Sequence, residues 1–175
     1  FNQIIPGFAI YYIDMLYYHY MNFGDERLLR FYLPTITKIL QFFETRIDEN
    51  TGLVGRCGYW EFIDWVDEWR GNFGTVVNKD DEYNYIYNLL YGYGLLRAKE
   101  LYEFVGFLDI AKDYSKKHAS LIENINNIAY DRDSKYYMSK PGDYTFSQHA
   151  QLWAVLSGCI EGEKAKILME RCLND

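Results

Sequence analysis

Hydrophobic and polar positions along the chain form two kinds of helical pattern that alternate. The first kind is apolar or aromatic on most sides and occurs at residues 7–22, 82–104 and 147–157. The second kind has apolar residues at three- and four-residue spacing on a single face and occurs at residues 26–48, 107–128 and 162–173. A helix of the first kind must be covered on most faces, whereas one of the second kind packs on one side only. The alternation predicts three hairpins, each an inner helix followed by an outer helix.

Three such hairpins predict two layers of helices and an all-α fold. This is how an α/α toroid is built, and three hairpins would form about half of a six-hairpin one. A tandem-repeat solenoid is the alternative, but the repeats are unequal in length and their connections differ. Because no low-complexity stretch or Pro/Gly-rich linker divides the chain, we expect residues 1–175 to form one partial barrel domain without an internal boundary.

Several residues predict local breaks and close contacts in these helices. Gly24 can end the first helix and Asp25 can cap the second. Pro34 lies inside the second helix, which must either kink there or restart with Pro34 in its first turn. Gly92 and Gly94 lie in the middle of a predicted helix, where each costs about 1 kcal/mol relative to Ala unless close packing or a ligand requires the space.

The connection between the first two hairpins, about residues 50–81, is unusually long. Connections of this length in a compact domain are often functional. Within it, the sequences GLVG (52–55) and YWEFIDW (59–65) are candidates for short strands.

Composition and charge exclude several classes of function. Hydrophobic residues make up 49% of the chain, which excludes a disordered segment. The net charge of −7 and the lack of a basic stripe argue against nucleic acid binding. No apolar run approaches the roughly 20 residues of a membrane span. Because the chain starts at Phe1 rather than Met, we expect it to be a piece of a longer protein.

Metal and disulfide chemistry have little support in the sequence. Cys57, Cys159 and Cys172 are an odd number without CxxC spacing, which predicts buried or idle thiols. The three histidines lie on separate predicted helices, so a zinc site is not expected. The acidic run at 79–84 lies just before a helix, where Asp80 or Asp81 would cap the helix and pair with its dipole. We predict no metal and no cofactor.

The stretch YWEFIDWVDEW (59–69) combines three tryptophans with four carboxylates, those of Glu61, Asp64, Asp67 and Glu68. Tyrosine is also abundant, with 18 residues, and it can bury area while keeping a hydroxyl available to a polar cavity. Carboxylates accept hydrogen bonds from sugar hydroxyls, and indole rings stack on the C–H faces of a sugar. The stretch is therefore either a half-buried loop with a solvated acidic edge or the wall of a sugar pocket.

Four segments, in order, resemble a known family: IPGFAIYYIDMLYYHYMNFGDERLLRFYLPTI, YWEFIDWVDEW, NLLYGYGLLRAKELYEFVG and FSQHAQLWAVLSG. They are similar to the helical catalytic domain of bacterial α-L-rhamnosidases, glycoside hydrolase family 78, over about residues 5–158. The resemblance implies an (α/α)6 barrel that hydrolyses terminal α-L-rhamnosyl bonds with inversion and without a cofactor. The FIDW and SQHAQLWAVL motifs carry it most specifically.

The resemblance also implies roles for individual residues. Asp64, in the F-x-D-W motif, corresponds to the family's carboxylate that binds sugar hydroxyls. Trp60 and Trp65 would be the aromatic walls of the pocket, and Glu61 is a further candidate carboxylate there. From the SQHAQLW motif, His149 and Trp153 are candidate substrate-binding residues.

The family's catalytic motifs are missing from this sequence. Its general acid lies in an Arg/Glu/Asp-rich motif upstream of the segment that matches IPGFAIYY, and its general base is a Glu downstream of the segment that matches SQHAQLW. We therefore expect an inactive central fragment without catalytic residues of its own. Its expected partners are a carbohydrate, the rest of its catalytic domain and, for the isolated piece, a second copy. Another six-hairpin glycosidase, trehalase-like or debranching-type, and a non-catalytic carbohydrate-binding or scaffold domain remain the alternatives.

Overall fold

The computed structural model describes residues 3–174, which form seven helices and one two-stranded antiparallel sheet. The helices are α1 (Pro6–Phe23), α2 (Glu26–Glu44), α3 (Asp67–Arg70), α4 (Tyr85–Phe104), α5 (Leu108–Ile128), α6 (Gln148–Leu156) and α7 (Gly162–Asn174). The strands are β1 (Tyr130–Asp131) and β2 (Tyr136–Tyr137). Residues 1, 2 and 175 of the predicted domain lie outside the described range. The prediction of an all-α fold is confirmed.

All three predicted hairpins are present: α1 with α2, α4 with α5, and α6 with α7. Their connections are short, at residues 24–25, 105–107 and 157–161. Each predicted helix begins within three residues of its observed start, and the largest error at an end is in α2, which stops at Glu44 rather than residue 48. The helix boundaries therefore follow from local sequence signals.

The turn between α1 and α2 has the predicted chemistry. Gly24 adopts left-handed backbone with a φ of 63°, and its N–H donates to the Tyr20 carbonyl at 2.7 Å. Asp25 then caps α2 by accepting a hydrogen bond from the Leu28 N–H at 3.0 Å. Pro34 lies inside α2, which continues through it as a single helix.

The helices form the two layers that the pattern predicts. Residues 85–95 of α4 are all buried, because α4 packs between α1 and α6 and also contacts the outer helices α2 and α5. In contrast, α2 buries a single stripe, formed by Leu29, Leu33, Ile36, Leu40 and Phe43. The core is a continuous cluster in which side chains from all of these helices meet. The inner and outer roles are confirmed.

Close packing of α1 against α4 explains the glycine in the middle of α4. A Cβ atom at Gly94 would lie 2.9 Å from the Cδ1 atom of Ile10 and 3.4 Å from the Cδ2 atom of Leu40. Gly92 faces α5, where an added Cβ atom would lie 3.3 Å from the Cδ1 atom of Ile122. Packing therefore requires the space at Gly94, whereas a Cβ atom at Gly92 would need the Ile122 side chain to shift by only a few tenths of an ångström.

The two long connections lie at one end of the helical layers. The starts of α1, α4 and α6 lie together. The Gly7 N–H in α1 donates to the Tyr87 hydroxyl in α4, and Ser139 contacts both the Tyr85 N–H at the start of α4 and the Ser147 hydroxyl that caps α6. The connections 45–84 and 129–147 each lead from an outer helix into the next inner helix. Both therefore lie at the end where the inner helices begin, and side chains far apart in sequence can meet there.

Amide side chains of the inner helices hold both long connections. Asn88 accepts from the Val54 N–H at 2.7 Å and donates to the Val54 carbonyl at 2.9 Å. Gln151 makes the same pair of contacts with the N–H and the carbonyl of Tyr137, both at 2.7 Å. Both amides are fully buried, so each satisfies backbone groups that would otherwise be buried without partners.

Two predictions about the connections are wrong in detail. Residues 59–65 form no strand, because the N–H groups of Ile63 and Asp64 both donate to the Gly74 carbonyl and fold the segment back on itself. Of residues 52–55, only Val54 forms a bridge, with Ile47. The predicted cap of the second inner helix is also wrong: Asn84, not Asp80 or Asp81, accepts from the Tyr87 N–H.

Within residues 3–174, no helix is long and apolar enough to span a membrane.

Candidate functional site

Asp64 lies on a loop that doubles back at Gly74. The Gly74 carbonyl accepts hydrogen bonds from the N–H groups of Ile63 at 2.8 Å and Asp64 at 3.2 Å. Gly74 has a φ of 73°, and a Cβ atom there would lie only 2.6 Å from the Phe62 ring and 2.8 Å from the Asp64 carbonyl oxygen. Glycine is therefore required at this position, and the tight return of the chain sets where Asp64 lies.

Asp64 and His149 meet although they are 85 residues apart in sequence. The Nε2 atom of His149 lies 3.0 Å from Oδ2 of Asp64, and Oδ1 of Asp64 accepts from the Trp65 N–H at 2.7 Å. His149 is in the first turn of α6, whose N-terminus is capped by the Ser147 hydroxyl. Two residues predicted as sugar-binding from separate motifs are thus brought together.

The Asp64 carboxylate is both ionised and accessible. The hydrogen bond from His149 is the main cause that lowers the pKa of Asp64 below its ordinary value of 3.8, and the Trp65 N–H adds to the effect. The side chain of Asp64 is 53% exposed. It can therefore accept hydrogen bonds from a ligand while His149 keeps its orientation.

Trp60 and Trp65 lie together on the Asp64 loop, but they line a cavity separate from the cleft that His149 lines. The Trp60 and Trp65 ring centroids are 6.1 Å apart, and the Phe62 ring lies 5.3 Å from that of Trp65. The Trp60 indole is oriented by its Nε1–H, which donates to the Phe73 carbonyl at 2.9 Å. Trp65 is 52% exposed, so its ring can contact a ligand.

Trp153, on α6, contacts side chains of both other inner helices, α1 and α4. Its ring stacks on Tyr11 at 5.9 Å and meets Tyr93 edge-on at 5.7 Å. Burial is the main cause that raises the pKa of Tyr11, and the nearby Asp64 carboxylate raises it further. Tyr11 therefore lies between Trp153, on which it stacks, and the Asp64 carboxylate, whose charge it senses.

Sequence reasoning missed Tyr11 and Trp69. Tyr11 is one of many aromatic residues in the α1 pattern, and nothing in that pattern distinguishes it. The Trp69 ring lies 5.0 Å from the ring of His149. Trp69 could have been proposed from its place in the 59–69 stretch together with the other two tryptophans.

Glu61 differs from the expectation that it contacts substrate. It is only 2% exposed, and its carboxylate accepts from Arg56 at 2.9 Å, from the Cys57 N–H at 2.7 Å and from the Asn84 amide at 3.2 Å. These three groups occupy the carboxylate, so Glu61 links the loop residues Arg56 and Cys57 to Asn84 at the start of α4. Glu68, in contrast, is exposed.

The described residues offer no metal-binding group of three or more His, Cys, Asp or Glu side chains. Burial raises the pKa values of the Cys57 and Cys159 thiols to about 12, so neither is a nucleophile at neutral pH. The arrangement instead provides an ionised carboxylate, an imidazole and exposed indole. These groups suit the binding of a hydroxyl-rich ring.

Comparison with known proteins gives one family and several structures. The family model described as the bacterial alpha-L-rhamnosidase 6 hairpin glycosidase domain matches residues 6–172. The GH78 rhamnosidase of Bacillus sp. GL1 is 19% identical, with a TM-score of 0.82. The rhamnosidase from Klebsiella oxytoca with rhamnose bound is 21% identical, with a TM-score of 0.81. A search of curated proteins found no match.

The shares of each chain that align are unequal. The alignments cover 97% and 100% of this chain, but only 17% of the Bacillus protein and 31% of the Klebsiella protein. This chain therefore corresponds to a small part of each of those rhamnosidases.

Proposed function

Because this chain belongs to the bacterial α-L-rhamnosidase six-hairpin glycosidase domain family, we propose that it contributes the sugar-binding wall of an inverting glycoside hydrolase. The substrate of that hydrolase is a glycoside or polysaccharide with terminal α-L-rhamnose. The observation that carries the proposal is the contact between Asp64 and His149, 85 residues apart and 3.0 Å from each other.

In this proposal Asp64 is the main contact to the sugar. Its exposed carboxylate accepts hydrogen bonds from neighbouring rhamnose hydroxyls, and such charge-assisted bonds are the stronger kind. His149 holds the carboxylate in place through Oδ2. The exposed Trp65 ring, whose centroid lies 6.1 Å from that of Trp60, packs against the sugar's C–H groups. Trp153 supports the same pocket through Tyr11.

Proton transfer is assigned to residues outside this chain. Inverting hydrolysis needs a general acid and a general base that flank the bond at roughly 6.5–9.5 Å from each other. Glu61 is already bonded to three protein donors, and the Asp64 carboxylate is held ionised. Residues 3–174 form three hairpins, whereas the family domain is described as having six. The remaining hairpins of a larger catalytic domain are the proposed source of both catalytic groups.

Hydrolysis of an aryl α-L-rhamnoside tests this division of roles. The purified 175-residue chain should release no aryl group above the buffer rate, because general acid–base catalysis is missing. Clear turnover in a preparation free of host enzymes would show that carboxylates of residues 59–69 are catalytic.

Binding of L-rhamnose to the same chain, followed by NMR, tests the role of Asp64. Asp64→Ala should weaken binding about tenfold, because each charge-assisted hydrogen bond contributes about 1.5–3 kcal/mol. Asp67→Ala removes the same charge at the start of α3, three residues after Asp64, and should leave binding unchanged, since Asp67 pairs with Arg70 at the surface. Equal affinity in the wild type and in Asp64→Ala would contradict the proposal.

A further inference from the structure

A polar cleft lies beside the proposed sugar site. It is bounded by segments 66–78 and 140–149 and has a volume of about 680 Å³, within the range of about 300–1,000 Å³ that is typical of small-ligand pockets. Trp69 and His149 both line it. His149 also contacts Asp64, so the cleft and the proposed rhamnose contact share this imidazole.

The lining of the cleft suits a hydroxyl-rich ligand. Trp69 provides an aromatic face, which is tilted by 53° against the His149 ring. Glu68 and Asn78 are exposed, and their side-chain polar atoms have no partner among residues 3–174. A carboxylate and an amide beside an indole can accept and donate hydrogen bonds to a sugar ring that lies against the indole.

The charge of the cleft is negative. Its only lysine, Lys140, is held by Asp81 at 2.9 Å. Burial works to raise the pKa of Asp81, but hydrogen bonds from the Asn78 N–H and from Lys140 outweigh it, so the pKa is lowered and the pair stays ionised. Because Lys140 and Asp81 neutralise each other, the lining has no lysine or arginine charge left to balance the carboxylates of Glu68 and Asp143.

We propose that this cleft holds the sugar to which the terminal rhamnose is linked, and that it selects an uncharged sugar over a uronate. This inference rests on the proposed rhamnose site at Asp64 and His149. A neutral sugar gains the hydrogen bonds of Glu68 and Asn78 and the Trp69 surface. A uronate would bring its carboxylate close to those of Glu68 and Asp143.

Three probes test the inference on the 175-residue chain by NMR titration at low salt: L-rhamnose, 4-O-α-L-rhamnosyl-D-glucose and 4-O-α-L-rhamnosyl-D-glucuronate. The neutral disaccharide should bind at least about fivefold more tightly than L-rhamnose, since two or more further hydrogen bonds form. The glucuronate disaccharide should bind no more tightly than L-rhamnose. High salt should reduce the difference between the disaccharides, because it screens the exposed charges.

The Glu68→Gln variant isolates the charge. It should raise the affinity for the glucuronate disaccharide about threefold, the size expected for removing one like charge several ångströms away in water. Its affinity for L-rhamnose should not change. Glu103→Gln is the matched control, because Glu103 lies at the far end of α4 beside Lys99; it should change no affinity.

The outcomes separate this inference from the function on which it rests. If L-rhamnose binds but the two disaccharides bind equally well, or if Glu68→Gln leaves the affinity for the glucuronate disaccharide unchanged, the cleft proposal alone is overturned. If L-rhamnose does not bind at all, both proposals are overturned.

Discussion

At the scale of single residues, the four carboxylates of the 59–69 stretch have four different environments. Glu61 is buried and bonded to protein donors. Asp64 is half exposed and held by His149. Asp67 pairs with Arg70 at the surface, and Glu68 faces a cleft. Glu61 is thus fully engaged by the protein, whereas the other three remain exposed to different degrees, and the four charges cannot be treated as one acidic cluster.

Glu61→Ala should lower stability without changing the proposed binding of L-rhamnose. The substitution leaves the buried Cys57 N–H and Asn84 amide without an acceptor, which predicts a loss of about 2–4 kcal/mol in the free energy of unfolding. Thermal melting measures this loss, and affinity per folded molecule should match the wild type. A stable Glu61→Ala protein with weakened rhamnose binding would instead assign Glu61 to the sugar pocket.

His149→Ala should raise the pKa of Asp64 toward its ordinary value of 3.8. The hydrogen bond from His149 is the largest cause of the lowered pKa. Because the folded-state pKa is lowered, the stabilisation from this contact is present above the unfolded pKa and is lost as pH falls through the folded one. A carboxyl-carbon NMR titration of Asp64 measures the change. His19→Ala, on α1 beside Asp25, is the control and should leave the Asp64 pKa as it is.

At the scale of elements, the inner helices both form the core and hold the two long connections. Asn88 in α4 and Gln151 in α6 bind backbone groups of the two long connections, so the loop positions depend on the inner helices. The spacing of α1 and α4 depends in turn on Gly94. Contacts along the inner layer therefore affect the site without touching a ligand.

Gly94→Val should destabilise the protein by about 2 kcal/mol or more. Its added atoms would overlap Ile10 and Leu40, and overpacking of a filled core costs about 1–3 kcal/mol, to which β-branching in a helix adds. Denaturant unfolding gives the free energy. Gly71→Val, where an added Cβ meets nothing within 4 Å, should change stability much less. Equal effects of the two substitutions would contradict the close-packing explanation.

At the scale of the whole molecule, the three hairpins leave apolar surface on α1 uncovered. Its exposed side chains recur at helical spacing and are Phe8, Tyr11, Met15, Tyr18 and Met21. A contiguous exposed face of this kind is typical of an interaction surface. In a six-hairpin domain, further hairpins would cover it, and in the isolated chain a second copy can do so.

The isolated chain should therefore associate as its concentration rises, despite its net charge of −7. Light scattering or sedimentation measures the association. The double variant Met15→Glu and Met21→Glu should stay monomeric at concentrations where the wild type associates. It should melt at nearly the same temperature, because these two side chains are 68% and 55% exposed. A monomeric wild-type chain with little dye-accessible apolar surface would contradict this prediction.

The sequence by itself determined the helices, the turn between α1 and α2 and the division into two layers. These features depend on apolar periodicity and on neighbouring residues, such as Gly24 and Asp25, so they can be predicted from a short window of sequence. Resemblance of motifs also predicted the family, and it identified Asp64 and His149 as separate candidates. No periodic pattern extends through residues 59–75, and the strand predicted there is absent.

Only the tertiary structure decided which of the candidates meet. The contact of Asp64 with His149 depends on the return of the loop at Gly74, and the burial of Glu61 depends on Arg56 and Asn84 closing around it. Periodicity predicts which face of a helix is buried, but a loop side chain is positioned by hydrogen bonds to residues that can be 85 positions away. Those partners become neighbours only when the inner helices pack side by side and bring their N-terminal ends together.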